Sequence, residues 1–102
     1  MNNFIKIFKR KIWENEFKRN CNHYGSNLKI HGPIKFSGGG ELNCGDDFFV
    51  RATEIDPVKI YISTNADLSF GNQVFLNNRV HISCSNRIKI GTHVDVGDES
   101  II

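Results

Sequence analysis

Leu68-Ser69-Phe70-Gly71-Asn72-Gln73-Val74-Phe75-Leu76 decides the fold, because the pattern of this stretch occurs three times in the chain. Its order is apolar, any, apolar, Gly, two polar, apolar, any, apolar. Residues 42–50 and 88–96 repeat that order, and residues 28–36 hold a weaker copy whose Gly comes one place late. Apolar residues also recur every six positions, as from Phe70 to Leu76 to Ile82. The chain therefore contains a hexapeptide repeat.

Each six-residue unit is a short alternating strand followed by a Gly or polar corner. The strand forms one side of a triangular coil, and the corner directs the chain into the next side. Three such sides predict a coil of about eighteen residues. Leu68 and Ile88 are 20 positions apart, which corresponds to one coil with two extra residues at Asn86 and Arg87. We expect side chains six positions apart to lie over one another in successive rungs of a prism-shaped core. The predicted inward residues beside the corners are Val74, Val80 and Val94.

The predicted fold class is all-β, a parallel β-helix preceded by a short N-terminal amphipathic α-helix. A β-sandwich would show hairpin signals such as Asn-Gly, which the chain lacks. A loop is expected at Glu54-Ile55-Asp56-Pro57, after which Lys59-Ile60-Tyr61-Ile62 resumes an alternating strand. The predicted domains are residues 1–27, the helix and a linker, and residues 28–102, a β-helix cut short at its C-terminal end.

Residues 2–13 predict the amphipathic helix, which we expect to continue to about Asn20. One interpretation packs it on the end of the β domain with its basic face in solvent, and this is favoured because such helices usually pack on their own protein. The other is a weak peripheral membrane contact through residues 2–13, with Phe4, Phe8 and Trp13 in the lipid interface. Five apolar residues fall on one side, Phe4, Ile5, Ile7, Phe8 and Ile12, and three basic ones on the other, Lys6, Lys9 and Arg10.

The net charge of +2 is too small to indicate a nucleic-acid partner, although six basic and two acidic residues give the first 20 positions +4. No apolar run approaches a membrane span and no signal-peptide core is present, so a cytoplasmic location is expected. Three cysteines with no CxxC pair predict neither a disulfide nor a zinc site. We expect buried or inert thiols, with Cys84 facing outward between Ser83 and Ser85.

The copies Phe70-Gly71-Asn72-Gln73-Val74 and Ile90-Gly91-Thr92-His93-Val94 resemble the hexapeptide motif of the left-handed parallel β-helix acyltransferases. That family includes galactoside, maltose and serine acetyltransferases and many sugar O-acetyltransferases of polysaccharide synthesis. The resemblance covers roughly residues 28–102. It implies left-handed coils, a homotrimer, and acetyl-coenzyme A as co-substrate in a groove between neighbouring prisms.

The block from Phe70 to Gly91 is similar without gaps to the acceptor-binding region of galactoside acetyltransferase. Asn77 matches an Asn that holds the acceptor there, and Ser85 falls where that enzyme has an Asp. The resemblance implies acetyl-coenzyme A dependent O-acetylation of a sugar or polysaccharide precursor, with Asn77 and Ser85 as the acceptor-binding residues and the coenzyme-binding residues unassigned. It puts the general-base His about five residues beyond Ile102, so little or no activity is expected from this chain alone.

A non-catalytic β-helix scaffold or interaction fragment is the alternative function. Asn77 and Asn78 suit a chain corner as well as they suit sugar hydroxyls. His81 and His93 are expected to face solvent without stacking, and His23 and His31 lie too far upstream to complete a three-His zinc site, so no metal is predicted. Because the last coil has nothing above it, we also expect association or marginal stability.

Overall fold

A computed structural model describes residues 3–102 of the protein. A single helix is followed by strands that wind in about three stacked coils, and each coil adds one parallel strand to each of three sheets. The predicted parallel β-helix with an N-terminal helix is confirmed as a stacked-coil β-solenoid. The helix α1 spans Asn3–Asn20, and none of the described helices is long and apolar enough to cross a membrane.

The three sheets form the three sides of the solenoid. The first sheet contains β1 (Lys29–His31), β4 (Phe49–Arg51), β7 (Phe75–Leu76) and β10 (Asp95–Val96). The second contains β2 (Ile34–Ser37), β5 (Val58–Ile62) and β8 (His81–Cys84). The third contains β3 (Glu41–Cys44), β6 (Asp67–Phe70) and β9 (Arg87–Ile90).

Residues that stack in neighbouring coils are 20 positions apart in the regular part of the chain, as Leu68 is from Ile88. The expected stacking at six positions is wrong, because Phe70, Leu76 and Ile82 lie on three different sheets of the same coil. A six-residue step carries the chain to the next side, and only a complete turn returns it to a parallel neighbour.

The coil needs 20 residues instead of eighteen because its second-sheet side holds three inward side chains. Val80, Ile82 and Cys84 alternate along that side and are all buried. The expectation that Cys84 faces outward is therefore wrong, since β8 continues its alternation to that residue. The Cys84 thiol donates a hydrogen bond to the carbonyl oxygen of Asp67 at 3.2 Å.

One corner repeats in every coil and forms what we call the corner column: Gly25-Ser26-Asn27, Gly45-Asp46-Asp47, Gly71-Asn72-Gln73 and Gly91-Thr92-His93. The third residue of each corner has left-handed φ, from 57° to 60°. The Asp46 and Asn72 side chains each accept a hydrogen bond at 2.8 Å from the backbone of the preceding corner. A Cβ on Gly45 would lie 2.2 Å from Asn72 Oδ1, so a larger residue there would have to displace the Asn72 side chain.

The corner at Gly25 also corrects the position of the fourth repeat. It is hydrogen-bonded to the next coil through Ser26 and Asp46, and His23 pairs with Asn43 in parallel. The fourth copy therefore occupies residues 22–30 and not residues 28–36. The first two apolar positions of this copy are held by Asn22 and by Tyr24, which is exposed, and this made the copy hard to recognise in the sequence.

The C-terminal end of helix α1 is stabilised by residues of its last turn, and the helix packs on the first coil. Lys18 and Arg19 lie in its last turn, where positive charge favours the helix dipole, and Asn20 Nδ2 donates to the Glu16 carbonyl at 2.9 Å. Phe17 is 0% exposed, with its ring 5.2 Å from Phe48 and 5.9 Å from Phe36.

The helix uses an unexpected side for this packing. Its predicted apolar side, with Phe4, Ile7, Phe8 and Ile12, is exposed. The favoured interpretation is therefore correct that the helix packs on the β domain and wrong about which face does so. The contact runs through Phe17 and the half-buried Trp13, because only their side of the helix faces Phe36 and Phe48. Residue 2 of the predicted helix lies outside the described residues.

Three further predictions about the β domain, on the inward valines, the loop and the strand after it, are confirmed. Val74 and Val80 are fully buried and Val94 is half-buried, all packed in the core. Residues 52–57 form the predicted loop, and β5 follows with inward and outward residues alternating from Val58 to Ile62.

Candidate functional site

The two predicted acceptor-binding residues lie on one coil, at opposite ends of β8. Asn77 follows β7 and precedes the turn into β8, whereas Ser85 directly follows β8 and is exposed. The outward residues of β8 itself are His81 and Ser83, and the exposed Arg79 lies in the turn before it. Asn77 and Ser85 are thus separated by the whole length of strand β8.

The side chain of Asn77 is held by neighbours above and below it on the first sheet. Its Nδ2 donates to Asp95 Oδ1 and to the Val96 carbonyl, both at 2.9 Å, and its Oδ1 accepts from Arg51 at 3.3 Å. An amide has two donor hydrogens and two acceptor lone pairs. Only one lone pair of Asn77 therefore remains for a ligand. The Oδ1 of the neighbouring Asn78 is buried, with no partner among the described residues.

A row of aromatic rings lies beside Asn77 on the outer face of the first sheet. Phe49 and Phe75 occupy paired positions, and their rings stack at 4.5 Å with an interplanar angle of 10°. The His31 ring meets the edge of Phe49 at 4.9 Å, and the Arg51 guanidinium lies 5.8 Å from the centre of the Phe75 ring. These contacts fix Arg51 and, through it, the orientation of Asn77.

Near the predicted residues lies what we call the second-sheet groove, a depression of about 470 Å³ over β2, β5 and β8. Three hydroxyl groups on its floor, from Ser37, Tyr61 and Ser83, occupy paired positions on successive coils. The neighbouring row is cationic or titratable and consists of Lys35, Lys59 and His81.

The charges of this groove have no internal compensation. No carboxylate of residues 3–102 forms an ion pair with Lys35 or Lys59. Like charges directly opposite each other on neighbouring strands are unfavourable, and this arrangement suits a bound anion. Sequence reasoning missed the groove because these residues are aligned only by the true coil lengths, 24 positions from Lys35 to Lys59 and 22 from Lys59 to His81.

The groups with shifted pKa values lie outside the second-sheet groove. Burial lowers the pKa of His31, and Arg10, Lys29 and Lys6 lower it further by repulsion. The hydrogen bond with Cys21 and burial both raise the pKa of Cys44, so this thiol stays protonated. All three cysteines are buried and free. This confirms the expectation of buried thiols but not the outward position expected for Cys84.

The histidines are dispersed over the solenoid. His81 lies on the second sheet, His93 is exposed in the corner column, and His23 and His31 lie on the first coil. Within residues 3–102, no group of three His, Cys, Asp or Glu side chains is placed to hold a metal ion.

No family model, curated protein or solved structure matches this chain.

Proposed function

We propose that the protein belongs to the hexapeptide-repeat acyltransferases and takes part in acetyl-coenzyme A dependent O-acetylation of a sugar or polysaccharide precursor. The observation that carries this proposal is the six-residue step from Phe70 to Leu76 to Ile82, which places one inward residue on each side of a three-sided parallel coil. Left-handed winding and a homotrimer are part of the proposal, because they come with the resemblance to that family.

The proposed reaction sets what the protein must supply. An acceptor hydroxyl oxygen attacks the acetyl carbonyl carbon, the carbon–sulfur bond of the thioester breaks, and coenzyme A leaves as its thiol. The proton of the hydroxyl passes through a general base to the departing sulfur. A free hydroxyl attacks poorly, and a positioned base contributes about 10² to 10⁴ in rate. The proposal assigns this base to a His beyond Ile102 and to no described residue.

The described coils would then supply the acceptor side of the site. The second-sheet groove offers hydroxyl groups for sugar hydroxyls and two unpaired ammonium groups, on Lys35 and Lys59. Such a groove favours an acceptor that carries carboxylate or phosphate groups. Ser85 is exposed directly after β8, and under this proposal it would contact the part of an acceptor that extends beyond the groove. Asn77 would contribute through its one free lone pair.

A non-catalytic scaffold is the second candidate, and the internal bonding of Asn77 favours it. Because Arg51, Asp95 and the Val96 carbonyl already bind the Asn77 amide, this residue is explained by the stacking of coils alone. Under this alternative the outer faces of the solenoid would contact another macromolecule.

The first test measures acceptor binding by the 102-residue chain and does not require a catalytic base. Nuclear magnetic resonance titration with acidic and neutral oligosaccharides should shift the signals of Ser37, Tyr61 and Ser83 with the acidic ligands. Lys35→Glu/Lys59→Glu should weaken that binding at least about tenfold. The matched control is Lys11→Glu/Lys89→Glu, which makes the same change in net charge away from the groove and should leave the affinity within about twofold.

The second test measures release of the coenzyme A thiol from acetyl-coenzyme A with the same acceptors. The complete reading frame that encodes this chain should catalyse transfer and the 102-residue chain should not. Binding without transfer by the complete product would support the scaffold. Turnover by the 102-residue chain above the buffer rate would overturn the assignment of the base, and absence of oligosaccharide binding would overturn the acceptor site.

A further inference from the structure

The N-terminal helix presents an apolar face that points away from the protein. Phe8 and Phe17 are nine positions apart, which at 100° per residue puts them on opposite sides of the helix. Phe17 is buried in the first coil, so Phe8 points outward, and it is 61% exposed. Phe4 lies one turn away on the same side and is 80% exposed, and Ile12 is also exposed.

Basic residues border this outward face. Lys11 and Arg19 lie within about 60° of Phe8 around the helix axis, and both are exposed. No acidic residue occurs in residues 3–13. The first one, Glu14, lies 3.1 Å from the ammonium group of Lys18 and is paired with it. The face therefore combines two aromatic rings with Lys11 and Arg19, which form no ion pair among residues 3–102.

The coil stack holds the helix in place, so this face is preformed. Phe17 anchors its C-terminal half, and an ion pair of 2.6 Å joins Lys9 to Glu54 on the loop 52–57. Because the helix is already ordered, binding through its outward face costs no folding entropy.

We propose that the outward face of α1 binds the surface of an anionic lipid bilayer, with Phe4 and Phe8 in the interface and Lys11 and Arg19 on the headgroups. Helices with aromatic residues on one face and flanking basic residues bind such surfaces by apolar burial and by attraction to anionic lipid. A second copy of the chain fits this face less well, because two such faces would bring Lys11 and Arg19 against their own equivalents.

The test uses the 102-residue chain and co-sedimentation with vesicles. One set contains phosphatidylcholine alone, and the other contains phosphatidylcholine with phosphatidylglycerol in equal parts. We expect affinity for the anionic vesicles to exceed that for the neutral ones by about tenfold or more, and to fall with added salt.

Two pairs of matched variants separate the two parts of the face. Phe4→Ser/Phe8→Ser should lower the affinity for anionic vesicles about tenfold or more, whereas Ile55→Ser/Ile101→Ser, which removes two exposed apolar side chains elsewhere, should leave it within about twofold. Lys11→Glu/Arg19→Glu should lower it about tenfold, and Lys59→Glu/Lys89→Glu should lower it far less at the same net charge.

Equal binding to both kinds of vesicle would overturn the proposal, as would unchanged binding by Phe4→Ser/Phe8→Ser. If that variant instead converts an oligomer to a monomer in analytical ultracentrifugation, with vesicle binding absent throughout, the face is a contact between copies and the proposal fails. Circular dichroism melting of each variant checks that it is folded. Vesicle binding is independent of acceptor binding and acetyl transfer, so either proposal can fail alone.

Discussion

The two ends of the solenoid differ in how their core is covered. At the N-terminal end, helix α1 lies across the first coil, and Phe17 and Phe48 are fully buried. At the other end, the last described coil leaves Ile88 half-buried, although Leu68, its paired residue one coil earlier, is fully buried. Equivalent positions of the same repeat therefore differ in burial according to what lies above them.

This difference shows that the repeat specifies which side chains face inward and how far apart they lie. The stability of each coil depends in addition on the coils next to it. In stacked repeats each unit contacts only the adjacent ones, so a terminal unit has half of the contacts of an internal unit. Substitutions at the covered end and inside the stack should consequently cost much more free energy of unfolding than the same changes at the last coil.

The largest effect is expected at the covered end, from Phe17→Ala. Removal of a fully buried Phe typically lowers the free energy of unfolding by about 3 to 5 kcal/mol, through lost burial and the cavity that remains. Phe4→Ala, in the same helix but exposed, should change it by less than about 0.5 kcal/mol. Urea denaturation followed by circular dichroism measures both. Similar values for the two variants would show that the helix does not cover the coil in solution.

The next comparison makes the same glycine-to-alanine substitution in two different coils of the corner column. Gly45→Ala forces the new Cβ against Asn72 Oδ1 and displaces the bond to the Asp46 backbone, which should cost about 2 kcal/mol. Gly91→Ala, at the same corner of the last coil, finds open space around its Cβ and should cost less than about 0.5 kcal/mol.

Urea denaturation of these two variants decides whether the coils stack as described. Equal destabilisation by the two would contradict the difference between the interior and the last coil. The side chain introduced is identical in both, so its own helix or strand preference cancels in the comparison.

The smallest effect is expected from pH, through His31 at the covered end. Burial and the nearby Arg10, Lys29 and Lys6 lower its pKa in the folded protein, so the unfolded chain takes up a proton first as the pH falls. Stability should therefore decrease as the pH drops below about 6.5, the unperturbed value. His31→Gln should flatten this decrease in urea denaturation between pH 7 and pH 5, and an unchanged slope would contradict the assignment to His31.

The sequence predicts the parts of this fold that depend on local spacing. Six-residue periodicity and the Gly corners are enough to predict a three-sided parallel coil, and Lys59–Ile62 is recognisable as a strand by its alternation alone. The number of residues in one coil cannot be predicted from local spacing in this way. It depends on the third inward residue of the second-sheet side, Cys84, whose neighbours Ser83 and Ser85 suggest a polar corner.

The candidate site was less predictable, since it is formed by residues from different coils. Lys35, Lys59 and His81 become neighbours only through the pairing of β2, β5 and β8. Likewise, the helix contains apolar residues on both sides, and the sequence alone gives no reason to prefer Phe17 over Phe8 as the buried one. That choice follows from Phe36, which lies in β2, and Phe48, which directly precedes β4.

The unequal lengths of the coils have a consequence for engineering. Lys59 follows Phe49 by ten positions, whereas His81 follows Phe75 by six, yet both pairs keep the same parallel register. The four additional residues lie in the loop 52–57 and leave the sheets on either side undisturbed. This loop, with Ile55 at its exposed tip, should therefore accept an inserted peptide tag or a small guest domain without a shift in strand pairing.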